Sequence, residues 1–254
     1  MPKEPRPRDN RKAKNSGDNV TRNLVIGMVG LVVLSGLIFT VLDKRGASDV
    51  ALPATIESID SSNNGEPLVG QILPENDYGI VFNAGLPIKI DIFEDFQCPV
   101  CKLFEDPIGG YLTSLVTEKK AQVTYHPLSF LGNGTKDDES IAASNAAYCA
   151  VDEGKFLDFH KALMDVQSQV ENSGFLNTEN LLTIGKKIGI TSTTFTDCVT
   201  NKSKLVNVVA ATESMQRYGV KGTPTALING KVWERQSPVF DVNEFKAAVE
   251  AAAK

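Results

Sequence analysis

Two cysteines separated by two residues, Cys98-Pro99-Val100-Cys101, stand where a strand pattern gives way to a helical one. No other feature restricts the fold of this chain so tightly. Before them, Ile88-Lys89-Ile90-Asp91-Ile92-Phe93 places apolar residues at alternating positions until Phe93, the period of a strand. After them, the pattern predicts a helix from roughly Cys98 to Glu118, with Pro107 as a candidate bend. A dithiol that cycles needs two sulfurs able to close a small ring, one of which ionises near neutral pH. Two intervening residues at a helix start meet both needs. The sulfurs come within bonding reach, and the first faces free N–H groups and the positive end of the helix dipole, which favour thiolate. Pro99 suits the first turn, where a missing N–H breaks no hydrogen bond. Cys98 is therefore expected to be the exposed, reactive sulfur, and Cys101, one turn further in, the shielded one.

Two plainer uses of this spacing compete with redox chemistry. Half of a zinc site would need two more ligands at matching spacing. Cys149 and Cys198 form no second pair of that kind, and His126 and His160 fall in an expected strand and mid-helix. A purely structural disulfide closing so small a loop would constrain the unfolded chain little. Redox exchange, with no metal and no organic cofactor, is the expectation that remains.

The rest of the chain surrounds this motif with an alternating then helical order. Ile80-Val81-Phe82 and Ala121 to His126 read as strands. Residues 137–217 then carry almost nothing but helical signals: Asp138-Glu139 before Ile141-Ala142-Ala143, Glu153 to Val166, Thr178 to about Gly185–Gly189, and Asn201 to Tyr218. Strand signals return at Thr225-Ala226-Leu227-Ile228, and Asn229-Gly230 is a two-residue hairpin turn into Lys231-Val232-Trp233. Asp241 to Ala253 reads as a closing helix with Asp241 as candidate cap. The fold class expected is an α/β core interrupted by a helical insertion.

Upstream, residues 1–23 form a Pro-, Asn- and Lys/Arg-rich tail with seven basic and three acidic side chains. Residues 24–42 hold no ionisable group. A helix of that length reaches roughly 28 Å, close to a bilayer's hydrocarbon thickness. A buried core helix this long would show a polar stripe. A cleaved signal peptide would have a shorter apolar run and a small-residue cleavage site, whereas Asp43-Lys44-Arg45 follows here. The expectation is a single N-terminal transmembrane anchor at 24–42, the basic tail in the cytoplasm and the remainder outside. Residues 43–76 are expected to be a stalk with one or two short extended pieces. The net charge of −5 leaves −9 on residues 43–254, against a nucleic-acid partner.

Gly222-Thr223-Pro224-Thr225 is the second informative element, because a proline opening a strand after a glycine-bearing loop can be cis. Together with Phe93-Glu94-Asp95-Phe96-Gln97-Cys98-Pro99-Val100-Cys101 and the helical block between them, it resembles the DsbA-like branch of the thioredoxin superfamily. The resemblance covers roughly residues 75–254 and implies a thioredoxin fold at 77–254 with the helical insertion at about 137–217. It further implies Cys98 as nucleophile, Cys101 as its resolving partner and Pro224 as the cis-proline against the disulfide. Thr223 would offer backbone hydrogen bonds to a substrate strand. The implied function is an extracytoplasmic oxidase of exported proteins that carry free cysteines, reoxidised by a membrane partner of the DsbB or VKOR type. Two departures stand out. Thioredoxins and some DsbA proteins carry a buried acid six residues before the first cysteine, a place taken here by Ile92, and Glu94 and Asp95 are expected to point elsewhere. Val100 occupies the position where strongly oxidising relatives often have histidine, so a less extreme oxidant than DsbA is expected.

Cys149 and Cys198 both fall in the helical block, about fifty residues apart. Unpaired thiols would be a liability in an oxidising compartment. A structural disulfide between two helices is expected, the alternatives being two buried free cysteines or a second redox relay. His126 could assist the thiolate, but such a residue is more often the polar side of a strand end. Two other functions remain in view: a reductase or isomerase of the same fold, and a thioredoxin-fold metal carrier or binding module.

Overall fold

Strand β5 (Lys89–Glu94) lies where the alternation predicts it, yet its burial is not one-sided: Ile90 through Glu94 are all buried. Its place in the sheet explains this. In the computed structural model, which describes residues 62–63, 66–132 and 138–253, β5 is an inner strand of a six-stranded sheet. The order is β3 (Gln71–Leu73), β4 (Gly79–Phe82), β6 (Gln122–Pro127), β5, β7 (Thr225–Ile228), β8 (Lys231–Val232). β5 and β6 run parallel and are joined through helix α1 (Pro99–Thr117), while the other pairs are antiparallel. A strand covered on both faces reads as a run of buried residues rather than a clean alternation. A separate two-stranded pair joins β1 (Ser62–Asn63) to β2 (Glu66–Pro67).

β3 falls inside the expected stalk but pairs Gln71–Leu73 with Gly79–Val81, so the sheet begins before residue 77. The tail at 1–23, the anchor at 24–42 and the larger part of the stalk lie outside the described residues. Among the described residues no helix is long and apolar enough to cross a membrane.

Helix α1 runs unbroken through Pro107 and buries Cys101, Phe104, Ile108, Leu112 and Leu115, the three- and four-residue spacing of one face. Phe104 meets Phe245 of helix α7 (Val242–Ala252) edge-on at 6.1 Å, and Phe240 at 5.4 Å. Burying a ring of this size contributes about 2–3 kcal/mol. Asp241 caps α7, accepting a hydrogen bond from the Asn243 N–H at 2.7 Å. Asn229 and Gly230 take φ of 49° and 76° between paired Ile228 and Lys231, the left-handed pair of a primed hairpin turn.

Between β6 and β7 the chain makes α2 (Glu139–Asp152), α3 (Phe156–Asp165), α4 (Thr178–Lys187), α5 (Thr193–Thr200) and α6 (Leu205–Ser214). Helix α5 carries no signal in the sequence, because its threonines have poor helix propensity. Ser192 caps it by accepting the Phe195 N–H at 3.0 Å, and burial of Phe195, Cys198 and Val199 fixes it in place. A Cβ at Gly185 of α4 would meet the Phe195 ring at 2.6 Å, so the α4–α5 contact depends on that glycine.

Candidate active site

Cys98 is the residue before the first turn of α1, in extended conformation (φ −76°, ψ 111°), and Pro99 opens the helix. Its carbonyl accepts the Cys101 N–H at 3.0 Å, which sets the tight loop that faces the two sulfurs toward each other. Polar residues of the preceding segment hold that loop against the helical insertion. Asp95, fully buried, accepts hydrogen bonds from the Gln97 N–H at 2.9 Å, the Ser140 hydroxyl at 2.7 Å and the Leu131 N–H at 2.8 Å. Gln97 donates to Ser140 Oγ, and Gln167, beyond α3, donates to the carbonyls of Phe96 and Cys98 at 2.8 and 3.1 Å.

Both cysteines are free thiols, Cys98 6% exposed and Cys101 not at all. Cys98 is less open than expected, because the Thr223 loop lies against it. The thiol donates to the Thr223 carbonyl at 3.4 Å, and the Thr223–Pro224 bond is cis. Beside the sulfurs runs a cavity of about 360 Å³ lined by Val100, Phe104, Thr223, Pro224, Trp233 and Phe240.

The two sulfurs are driven apart in acidity. The hydrogen bond from Cys101, opposed by partial burial and helped by Thr223 and the N–H groups of Cys101 and Val100, lowers Cys98 to about 6. Burial first, then the bond to Cys98 and the charge of Glu94, hold Cys101 well above an ordinary thiol. One sulfur is ionised at neutral pH and the other keeps its proton. That is the asymmetry a dithiol exchange centre needs.

Of the two acids expected to point elsewhere, Asp95 does so, and Glu94 does not. By strand parity Glu94 shares a side with Ile90 and Ile92, and its side chain enters the interior below Cys101. There Glu94 Oε2 is hydrogen-bonded to His160 Nε2 of α3 at 2.8 Å, and its carboxyl faces that of Glu105 on α1. One ligand atom from each of Glu94, Glu105 and His160 lies within 4.8 Å of the others, a spacing that could also hold a metal ion. Burial pushes Glu94 up to about 8, raises Glu105 and lowers His160. His126 makes its side-chain hydrogen bond to Asp91 Oδ1 at 3.4 Å and stacks on Phe93 at 4.1 Å, so it belongs to the sheet's packing and not to the sulfurs. In the insertion, Cys149 of α2 is disulfide-bonded to Cys198 of α5, with Cα atoms 6.0 Å apart.

The sequence reading missed Glu105 and His160, and misplaced Glu94. A signal was present for two of them: Glu94 keeps the parity of buried Ile92, and Glu105 follows Cys101 by one helical turn. His160 comes from the insertion and carries no local signal.

Paired thiols of split acidity at a helix start, beside a cis-proline loop on this sheet, form an arrangement suited to thiol–disulfide exchange. Residues 84–251 match the family model described as thioredoxin, and the chain belongs to that family. Among curated proteins it is 26% identical over 173 residues to probable disulfide bond formation protein D of Bacillus anthracis, covering 66% of this chain and 75% of that protein. It is 27% identical over 175 residues to the serine/threonine-protein kinase PknE of Mycobacterium tuberculosis, covering 64% of this chain. The match spans only 30% of the kinase's length. Among solved structures, the thiol-disulfide oxidoreductase MdbA of Corynebacterium diphtheriae superposes with a TM-score of 0.60 at 19% identity, covering 81% of this chain and all of MdbA. Oxidised DsbA of Mycobacterium tuberculosis gives 0.57 at 25% identity, with 66% and 84% covered.

Proposed function

We propose that the chain is a membrane-anchored dithiol oxidase that introduces disulfides into exported proteins. The observation that carries this is the placement of Cys98 at the start of α1 against the cis Thr223–Pro224 loop, where its thiol is lowered to about 6 while Cys101 keeps its proton. A substrate thiolate attacks Cys98 Sγ of the Cys98–Cys101 disulfide, and the S–S electron pair leaves with Cys101. A second substrate thiolate then attacks the substrate's own sulfur in the mixed disulfide and expels Cys98 as thiolate. The substrate loses two electrons and the pair gains them. A stable leaving thiolate favours transfer toward the substrate. The extended substrate segment would lie along the Thr223 backbone and the apolar groove beside Val100 and Trp233. Residues 24–42 would hold the enzyme at the membrane, within reach of a quinone-linked reoxidase of the DsbB or VKOR type.

Two measurements test the reading. The reduction potential should fall between about −120 mV and about −270 mV, the DsbA and thioredoxin values. A value at or below thioredoxin's would make the chain a reductase. A Cys101→Ala variant in the native host should accumulate exported cysteine-bearing proteins as mixed disulfides on Cys98, and an empty trap would count against exchange with proteins altogether.

A further inference from the structure

Glu94 of β5, Glu105 of α1 and His160 of α3 converge from three different elements. One ligand atom from each lies within 4.8 Å of the other two, and Glu94 Oε2 is 2.8 Å from His160 Nε2. The group includes no cysteine, and the exchange steps do not use it. Packing fixes its members. The rings of Phe96, Tyr125 and Phe156 surround the His160 imidazole at centroid distances of 5.6, 4.9 and 5.6 Å, and its Nε2 points at Glu94. Glu94 itself is 3% exposed. The Glu105 carboxyl lies back along α1 over Gly109, where a Cβ would collide with Oε2.

What the group lacks is positive charge. Glu94 Oε1 and Glu105 Oε1 are both shut off from water, with no hydrogen-bond partner among the described residues. Among those residues neither carboxyl is ion-paired with a lysine or arginine, and Lys161 beside them is taken by Asp165. Buried charges persist where they are paired or bind a metal. A divalent ion cancels two carboxylates, engages their orphaned oxygens and accepts the imidazole nitrogen as a neutral ligand. Access exists as well. Glu105 and His160 line a cavity of about 370 Å³ whose rim carries Asp106, Lys161 and Asp165. That is ample room for water to remain beside an ion. The opening shares no lining residue with the groove at Val100 and Trp233.

We propose that Glu94, Glu105 and His160 bind one divalent transition-metal ion of the zinc class, with water from the cavity completing its coordination. The ligand set selects the class: one imidazole nitrogen with two carboxylate oxygens suits zinc, whereas calcium and magnesium take shells of oxygen. Distance agrees. In a tetrahedral site with bonds of about 2.0–2.1 Å, ligand atoms stand roughly 3.3 Å apart. That lies between the 2.8 Å of the Glu94–His160 pair and the 4.8 Å that bounds all three. Rotation of Glu105, whose carboxyl borders the cavity, closes the set. The ion would cross-link the strand before Cys98, the helix after it and the helical insertion. In the metal-free chain a proton shared by the group takes its place, because two carboxylates this close cannot both ionise. The site is independent of the direction of the dithiol chemistry.

The test uses the tag-free full-length chain, oxidised so that all four cysteines are in disulfides and no thiol competes for metal. After stripping with a chelator, equilibrium dialysis against Zn²⁺ should load one ion per chain. Free Zn²⁺ at a hundred times the dissociation constant should raise the melting temperature by about 5–10 °C. The chain has two histidines, so NMR of their rings locates the ion without a variant. The His160 signals should move on zinc addition and those of His126 should stay. Glu105→Gln and His160→Gln should each weaken binding by about a hundredfold or more. Asp165→Asn, on the rim, should bind as the unmodified chain does. Substoichiometric zinc, or binding that leaves the His160 signals in place, overturns the site even if the ligand variants fail to fold. A loss in Asp165→Asn equal to that in Glu105→Gln puts the ion on the rim and overturns it too. Calcium held as tightly as zinc refutes the metal class.

Discussion

Replacing Cys101 by alanine removes the leading cause of the Cys98 acidity and leaves the others in place. What is lost is one hydrogen bond from a thiol to a partly desolvated thiolate. Bonds to charged groups are worth about 1.5–3 kcal/mol, and one pKa unit is about 1.4 kcal/mol. The loss corresponds to about one to two units, so Cys98 should move from about 6 to between about 7 and 8. It should stop short of an ordinary thiol because the N–H of Val100, the Thr223 hydroxyl and the helix N-terminus remain.

Exchange with a neutral dipyridyl disulfide, read by absorbance from pH 4 to 10, measures this. The rate at a single pH would mislead. At pH 7 the thiolate fraction falls from about nine-tenths to between about one-half and one-tenth, while the more basic sulfur gains roughly three- to tenfold in intrinsic nucleophilicity. The two changes nearly cancel, and only the midpoint separates them. A Cys101→Ala midpoint still within half a unit of 6 would mean that the helix N-terminus, and not the paired thiol, sets the acidity. A midpoint at the free-cysteine value would mean that Thr223 and the N–H groups contribute nothing.

Three further outcomes are expected. Thr223→Val, which removes the hydroxyl but not the carbonyl, should raise the Cys98 midpoint by less than Cys101→Ala does, and an equal or larger rise in the same titration would reverse the order of causes. Replacing both Cys149 and Cys198 by alanine opens a loop of 49 residues, which should cost about 4 kcal/mol on the chain-entropy model. That corresponds to a melting temperature lower by about 10 °C, and a loss below about 1 kcal/mol would refute that account. Unfolded Glu94 ionises above about 4.5 while the folded side chain keeps its proton to about 8. Folding therefore takes up a proton in that window, and this contribution to stability is lost as pH rises through it. Thermal melts of Glu94→Gln should gain on the unmodified chain steadily from about pH 5 to about pH 8, and a pH-independent difference would show that Glu94 is not held protonated.

The elements around Cys98 were legible because local patterns and tertiary burial agree there. The alternation of Ile88 to Phe93, the proline at the first turn of α1 and the Asn229-Gly230 turn each specify their geometry within a few residues. Two parts were not legible. Helix α5 is made of threonines that do not favour helix, and exists because Phe195 and Cys198 are buried against the rest of the insertion. Strand β3 is too short to carry a pattern, and pairing with β4 alone defines it. At the site, the sulfurs and the Thr223–Pro224 loop could be named from local sequence. His160 could not, because it reaches Glu94 across 66 residues of chain.

Glu94 shows why a rule broken in the sequence can mark a function. A carboxyl on the side of β5 shared with Ile90 and Ile92 violates the expected polarity of an inner strand, and burying it without a cation costs stability. Hydrophobic replacement at such positions is often neutral or stabilising, so packing alone gives no reason for a carboxyl there. The same holds for Glu105, whose tip folds back into the interior although solvent lies beyond the cavity rim. The Glu94 charge bears on Cys101, whose thiol is held above the ordinary range by burial first and by this charge as well. Asp95 is the control: equally buried, it is satisfied by three donors and fixes the loop that carries Cys98. Adjacent acids in one motif thus divide into one that holds the backbone and one left short of partners. The second, bonded to His160 through one oxygen and left with the other unpartnered, adds its charge to the burial that raises the pKa of Cys101.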